Sequence, residues 1–216
     1  MKKLHAIILG ATGATGQEIL KLVLNNSNFS KITVFVRRNI SIKHDKLIVK
    51  KIDFSRLKDY KKIIYGDILF SCLGTTRSEA GGKKKQYLVD YTYQFAFAKM
   101  ASENNVKIYS LISSVGANKN SFFFYPRIKG ILEKSVKSLD FELIHIFQPP
   151  SLIRQPSLLR TGEKVVISIL TKLNRIGLLK SFKPLHVHDL ADKMVLESLL
   201  DHKKKIKIYK PKDIKK

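Results

Sequence analysis

The residues with the clearest chemical potential lie in the stretch YPRIKG, where Tyr125 precedes Lys129 by four positions. On a helix such a pair sits one turn apart on one face, and an ammonium beside a phenol favours the phenolate. A free tyrosine is a poor acid–base near neutral pH, so that neighbour would make it useful. Lysine is abundant throughout the chain, however, and the spacing alone identifies nothing. The surroundings have to decide.

A second chemical feature is GATGATG, in which Gly10, Gly13 and Gly16 alternate with Ala11, Thr12, Ala14 and Thr15 directly after the apolar run LHAIILG. Glycine there permits a tight strand-to-helix turn and lets backbone N–H groups approach a pyrophosphate, while the following helix supplies positive partial charge. Its position as the first turn of a βαβ pattern gives the motif its meaning, and it predicts a dinucleotide site with the helix opening at Gly16 or Gln17. The second strand ends in FVRRNI, where sites for NAD usually place an acid. Arg37 and Arg38 stand there instead and suit a 2′-phosphate, which favours NADP(H). Asp53 closes the third strand, where its carboxylate would either accept from an adenine amino group or cap a helix.

The elements that must position these groups alternate along the chain. Strands are expected at LHAIILG, KITVFV, KLIVKKID, DILFSCLG, KIYSLISS and FELIHIF, with a last short one at KIKIY. Helices are expected from about 16 to 26, 87 to 104 and 126 to 137, then in KVVISILTKLNRI and in HDLADKMVLESLL, the last capped by Asp189. This predicts an α/β fold: a doubly wound parallel sheet of Rossmann type with a small C-terminal helical lid. The expected layout is a single domain over 1–216, with a core at 1–148 and a substrate or lid segment at 149–216.

Length and composition agree with one globular domain: 216 residues, of which 44% are hydrophobic. The chain has no run of apolar residues long enough to span a membrane and no signal-peptide layout, and Cys72 is its single cysteine. A cytoplasmic protein without membrane insertion, disulfide or metal site is expected. The net charge of +24 is carried mostly by lysines, scattered or in short runs such as Lys83–Lys85, without interleaved arginines and aromatics. That pattern reads as a solvated surface rather than a specific nucleic-acid site. His186 and His188 in PLHVHD would share a strand face, but two histidines without a third ligand make no metal site. The aromatic cluster SFFFYP reads as packing beneath the lid ahead of lining a pocket.

With GATGATG, VRR, IDF, CLGTTRSEAGG, SSVGANKNSFFFYPRIKGILEKSV and PPSLIRQ in hand, the chain resembles the atypical short-chain dehydrogenase/reductases, and within them the Tat-interacting-protein group, over most of its length. The resemblance implies that residues 10–16 hold the pyrophosphate, Arg37 and Arg38 the 2′-phosphate, and Asp53 with Phe54 the adenine. It implies that Leu73, Gly74 and Thr75 line the ribose side, and that Tyr125 and Lys129 form the catalytic pair and touch the cofactor. Ser113 or Ser114 is the third member, and the spacing to Tyr125 fits either. Asp90 replaces the asparagine of many relatives, and Gln148 and Pro150 change the segment that holds a nicotinamide carboxamide. The expected activity is NADPH-dependent hydride transfer to a small carbonyl substrate. The alternative is a non-catalytic NADP(H)-binding regulator acting through a protein partner. Oligomeric state has no readable signal.

Overall fold

The computed structural model describes residues 3–155 and 184–214. Its strands are β1 (Leu4–Leu9), β2 (Phe29–Val36), β3 (Leu47–Lys51), β4 (Ile68–Ser71), β5 (Ile108–Ile112), β6 (Leu143–Phe147), β7 (Leu152–Ile153), β8 (Leu185–His186) and β9 (Ile206–Tyr209). Seven of them form one sheet in the order β3-β2-β1-β4-β5-β6-β9, and every pairing in it is parallel. β7 and β8 form a separate two-stranded ribbon. Strand order reverses between β1 and β4, and that switch point is where α/β sheets open a crevice at their C-terminal edge.

Runs such as AIIL in β1 are buried on both faces because helices cover both. The helices are α1 (Ala14–Leu24), α2 (Arg77–Ala80), α3 (Lys83–Tyr87), α4 (Gln94–Glu103), α5 (Phe124–Val136), α6 (Val187–Ser198) and α7 (Pro211–Ile214). Ala6, Ile8 and Val34 meet Ile19 and Val23 of α1 and Leu190 and Met194 of α6 on one face. Ile7, Leu9 and Phe35 meet Phe97 of α4 and Leu132 of α5 on the other. The expected doubly wound sheet is therefore present.

Several boundaries differ from expectation, each for a local reason. α1 opens at Ala14 rather than Gly16 or Gln17, because the extended Gly13 already caps it. α5 opens at Phe124, so Tyr125 lies inside the helix and Pro126 takes its third position, where no N–H is needed. The helix expected from 87 to 104 begins earlier, in α3, and passes through π-helical turns at Leu88–Tyr93 before α4. Asp189 does not cap α6: His186 occupies that position, and Asp189 sits in the first turn. His186 ends β8 while His188 is helical, so the two share no strand face. A 3-10 segment at Phe54–Ile63 and the β7–β8 ribbon carried no signal in the sequence. Of the lid segment expected over 149–216, α6 and β9 pack into the core, and the helix expected in KVVISILTKLNRI lies outside the described residues.

Candidate functional site

The glycine turn is built by steric necessity. Gly10 has a φ of +87°, and a Cβ there would stand 2.7 Å from the backbone of Cys72 and Leu73, at the end of β4. A Cβ on Gly16 would collide with the carbonyl oxygen of Gly10. Gly13 N–H donates to that same oxygen at 3.0 Å, closing the turn. The start of α1 is thereby pressed against the C-terminal edge of β1 and β4. No side chain caps this helix and its first turn holds no acid, so its N–H groups keep their positive end for an anion. A tight turn that admits no Cβ at Gly10 or Gly16, opening a helix whose N-terminus has no capping side chain or acid, fits a dinucleotide pyrophosphate. Ala11, Ala14 and Thr15 are buried against the sheet, whereas Thr12 is exposed at the turn.

Arg37 and Arg38 follow β2 directly and are both exposed, with no ion-pair or hydrogen-bond partner among the described residues. Asp53 is the N-cap of the 3-10 segment: its Oδ1 accepts from Ser55 N at 2.9 Å and Ser55 Oγ at 2.7 Å. The Ser55 hydroxyl and amide hold its carboxyl below the usual range. Phe54 is buried with its ring 5.6 Å from that of Tyr93, so the ring is engaged in packing.

Leu73, Gly74 and Thr75 leave β4 as a loop fixed from below. The buried Asp90 accepts from Thr75 N at 3.1 Å, and its carbonyl accepts from Gln94 Nε2 at 2.9 Å. Gln94 Oε1 in turn accepts from Ser71 Oγ at 3.0 Å. The π-helical turns bring Asp90 under this loop, where its carboxylate fixes the Thr75 backbone. A buried polar chain of this kind was missed from sequence because its members are spread over 71–94.

Tyr125 is 40% exposed and Lys129 only 3% exposed. The Lys129 ammonium lies 6.0 Å from the Tyr125 ring centroid and donates to Ile112 O, at the end of β5, at 3.1 Å. It also lies near Cys72, whose thiol burial pushes up, with the Lys129 charge opposing. The lysine therefore sits among the C-terminal ends of β4 and β5, beside the crevice that the glycine turn borders. α5 can approach closely there because Gly130 has no Cβ; one would strike the backbone of Asn118 and Lys119.

The two serines separate. Ser113 is 3% exposed and donates to Glu133 Oε1 at 2.5 Å. Glu133 also accepts from Gln148 Nε2 at 2.9 and 3.2 Å. Ser114, half-buried, donates only to Val115 O, at 3.2 Å. Glu133 itself was missed, although its place one turn beyond Lys129 on the same helix face was available from spacing. The lid beneath which the aromatic cluster was expected to pack lies largely outside the described residues, and Phe122 is 91% and Phe123 72% exposed.

No group of three or more potential metal ligands occurs among the described residues, and no helix there is long and apolar enough to cross a membrane.

Comparison with known proteins bears on the family and the fold. A family model for NAD(P)H-binding domains matches residues 10–140. Protein HTATIP2 of Rattus norvegicus is 35% identical over 167 residues, which is 76% of this chain and 69% of that protein. The mitochondrial protein FMP52 of Eremothecium gossypii is 31% identical over 217 residues, covering 98% of this chain and 96% of that one. Among solved structures, the Bordetella bronchiseptica enzyme WbmH in complex with NAD+ has a TM-score of 0.72 at 14% identity, over 93% of this chain and 74% of that chain. A short chain dehydrogenase family protein from Francisella tularensis has a TM-score of 0.66 at 16% identity, over 98% and 99%. These two structures share the fold.

Proposed function

The chain belongs to the NAD(P)H-binding family, and we propose that it is an NADPH-dependent oxidoreductase acting on a small carbonyl substrate. The observation that carries this reading is the placement of Tyr125 and Lys129. A buried ammonium anchored on Ile112 O stands one helical turn from a half-exposed phenol, at the crevice bordered by the glycine turn. When bound, NADPH supplies the hydride. Residues 10–16 would hold the pyrophosphate, Arg37 and Arg38 the 2′-phosphate, Asp53 and the backbone at Phe54 the adenine, and Leu73–Thr75 the ribose side. Lys129, anchored on Ile112 O, would orient the nicotinamide ribose. Tyr125 gives its phenolic proton to the carbonyl oxygen as the carbon is reduced, and Ser114 holds that oxygen by a hydrogen bond. After β6, Gln155 reaches back to α1, donating to Ala14 O at 3.1 Å and Glu18 Oε1 at 2.7 Å.

Tyr125→Phe tests this, because it removes the proton and little else. Reduction of a panel of aldehydes, ketones and quinones should fall by about a hundredfold or more, with NADPH affinity changed only a few-fold. Equal turnover in the variant would sink the catalytic role. One observation favours the second reading, a cofactor-dependent regulator without turnover: both serine hydroxyls already donate within the chain. A wild-type protein that binds NADPH tightly and reduces nothing in the panel would establish that reading. A cytoplasmic location is part of the proposal. FMP52 relatives are mitochondrial by name, and cell fractionation separates the two.

A further inference from the structure

The loop from 118 to 123 ends in two phenylalanines that the described residues leave largely uncovered. Phe122 is 91% and Phe123 72% exposed, among the most exposed large apolar side chains described. They are nevertheless firmly presented. Asn118 N donates to Pro126 O at 3.1 Å, Ser121 N to Asn118 O at 2.9 Å, and Phe123 N to Ser121 Oγ at 3.2 Å. The tip also carries a collar of cations. Lys83 Nζ lies 5.6 Å from the Phe124 ring centroid, Arg127 donates to Ser121 O at 3.4 Å, and Lys119 belongs to the loop itself. All three are exposed, and none has an ion pair among the described residues.

An apolar tip with cations on its own loop and on the adjoining helix start fits a surface that is anionic outside and apolar beneath. We propose that the Phe122–Phe123 tip with Lys83, Lys119 and Arg127 docks this protein on an anionic lipid bilayer. The phenylalanines enter the headgroup boundary while the cations remain with the phosphates. Two other occupants fit less well. A two-fold dimer through this patch would set the same unpaired cations against their own copies. Single-stranded nucleic acid needs aromatic faces in succession along a groove, whereas these rings are perpendicular, at 84° with centroids 6.0 Å apart, on a projecting loop. Docking would turn Tyr125, next in the helix and 40% exposed, toward the membrane surface. The proposal stands whether or not the protein turns over a substrate.

Co-sedimentation of the full chain with vesicles of mixed phosphatidylcholine and phosphatidylserine tests it, with phosphatidylcholine vesicles as the neutral comparison. Wild type should bind the mixed vesicles, leave them as salt rises, and ignore the neutral ones. Phe122→Ser with Phe123→Ser should weaken partition at least about tenfold. The exposed positions should leave thermal unfolding unchanged, and Phe122→Ser alone serves if the double variant folds poorly. Lys83→Glu with Lys119→Glu should weaken binding without touching the apolar tip. Partition unaffected by the phenylalanines would mean that the diffuse charge does the binding, and would overturn the proposal. So would no partition at all, a solution dimer dissolved by Phe122→Ser, or an oligonucleotide captured through these rings in place of vesicles.

Discussion

The first turn of α1 and the corner where α6 meets β9 both gather charge, and they treat it in opposite ways. At α1 the positive end of a helix is left without a capping side chain or an acid, and Arg37 and Arg38 nearby have no anionic partner among the described residues. At the α6–β9 corner Glu197 is matched several times over. Its carboxylate meets Lys193 at 2.6 Å, Lys207 at 3.2 Å and His202 at 3.2 Å, and accepts from the Tyr209 hydroxyl at 2.7 Å. That hydroxyl lies 2.9 Å from Nδ1 of the buried His145. Density of ionisable groups is thus a poor guide to function here. The compensated cluster holds the edge strand, whereas the charge at α1 and β2 has no such structural role among the described residues.

The largest effect should come from stripping the compensated corner. Glu197→Ala leaves two ammoniums, a histidine and a hydroxyl without their common acceptor. The expected loss is about 3 kcal/mol by urea unfolding, at the low end for a broken buried pair because both lysine side chains are partly exposed and can rehydrate. NADPH affinity should not move. The same corner sets an acid limit. Burial, with the charge of His202 beside it, lowers His145 from 6.5 to about 4. The unfolded chain therefore binds a proton that the folded one refuses between those values, and stability falls as pH drops through that window, by up to about 3 kcal/mol. Burial alone would raise Glu197, but Lys193, Tyr209 and Lys207 outweigh it and hold the carboxyl at about 2. A second loss follows as pH falls from 4.5 toward 2. His145→Asn should flatten the upper window only; an unchanged pH profile in that variant would remove His145 as its origin.

The uncompensated side predicts a smaller, ligand-specific effect. Replacing Arg37 and Arg38 with alanine should weaken NADPH binding by about ten- to a hundredfold, the worth of charge-assisted bonds to a phosphate. NADH binding should barely change, and the denaturation midpoint should stay put, since neither guanidinium supports the fold. Fluorescence titration of both cofactors at fixed salt measures this. A wild type that prefers NADH would show that the arginines serve something other than a 2′-phosphate.

What could be read from sequence follows the same division. The glycine turn was legible because backbone sterics dictate it: Gly10 and Gly16 are required by atoms a few residues away or on the adjoining strand. The place of Arg37 and Arg38 directly after β2 was legible because the strand itself was. The α6–β9 cluster was not, because His145, Lys193, Glu197, His202, Lys207 and Tyr209 meet only after β9 joins β6. Asp90 was noticed as a departure, yet its hold on Thr75 depends on π-helical turns that no periodicity announces. The exposure of Phe122 and Phe123 runs against the apolar rule itself, and apolar patterning places such residues inside.

The smallest effect, and the one that tests the division most closely, concerns two adjacent serines. Ser113 belongs to the compensated kind: its hydroxyl is buried and donates to Glu133, which Gln148 also engages. Ser113→Ala removes one charge-assisted bond and leaves Glu133 its two contacts from Gln148, so it should cost about 1–2 kcal/mol of stability. Turnover should stay within a few-fold, because that hydroxyl does not face the crevice while it is bound to α5. Ser114 is of the other kind, half-buried with a single 3.2 Å donation to the neighbouring carbonyl. Ser114→Ala should leave the unfolding midpoint nearly unmoved. If its hydroxyl holds the substrate oxygen, kcat should fall about tenfold or more with cofactor affinity intact. Measuring both variants for urea midpoint and for kcat gives a crossed pattern, stability lost in one and rate in the other. The reverse pattern would show that Ser113 leaves Glu133 during turnover, and would assign the substrate oxygen to the buried serine.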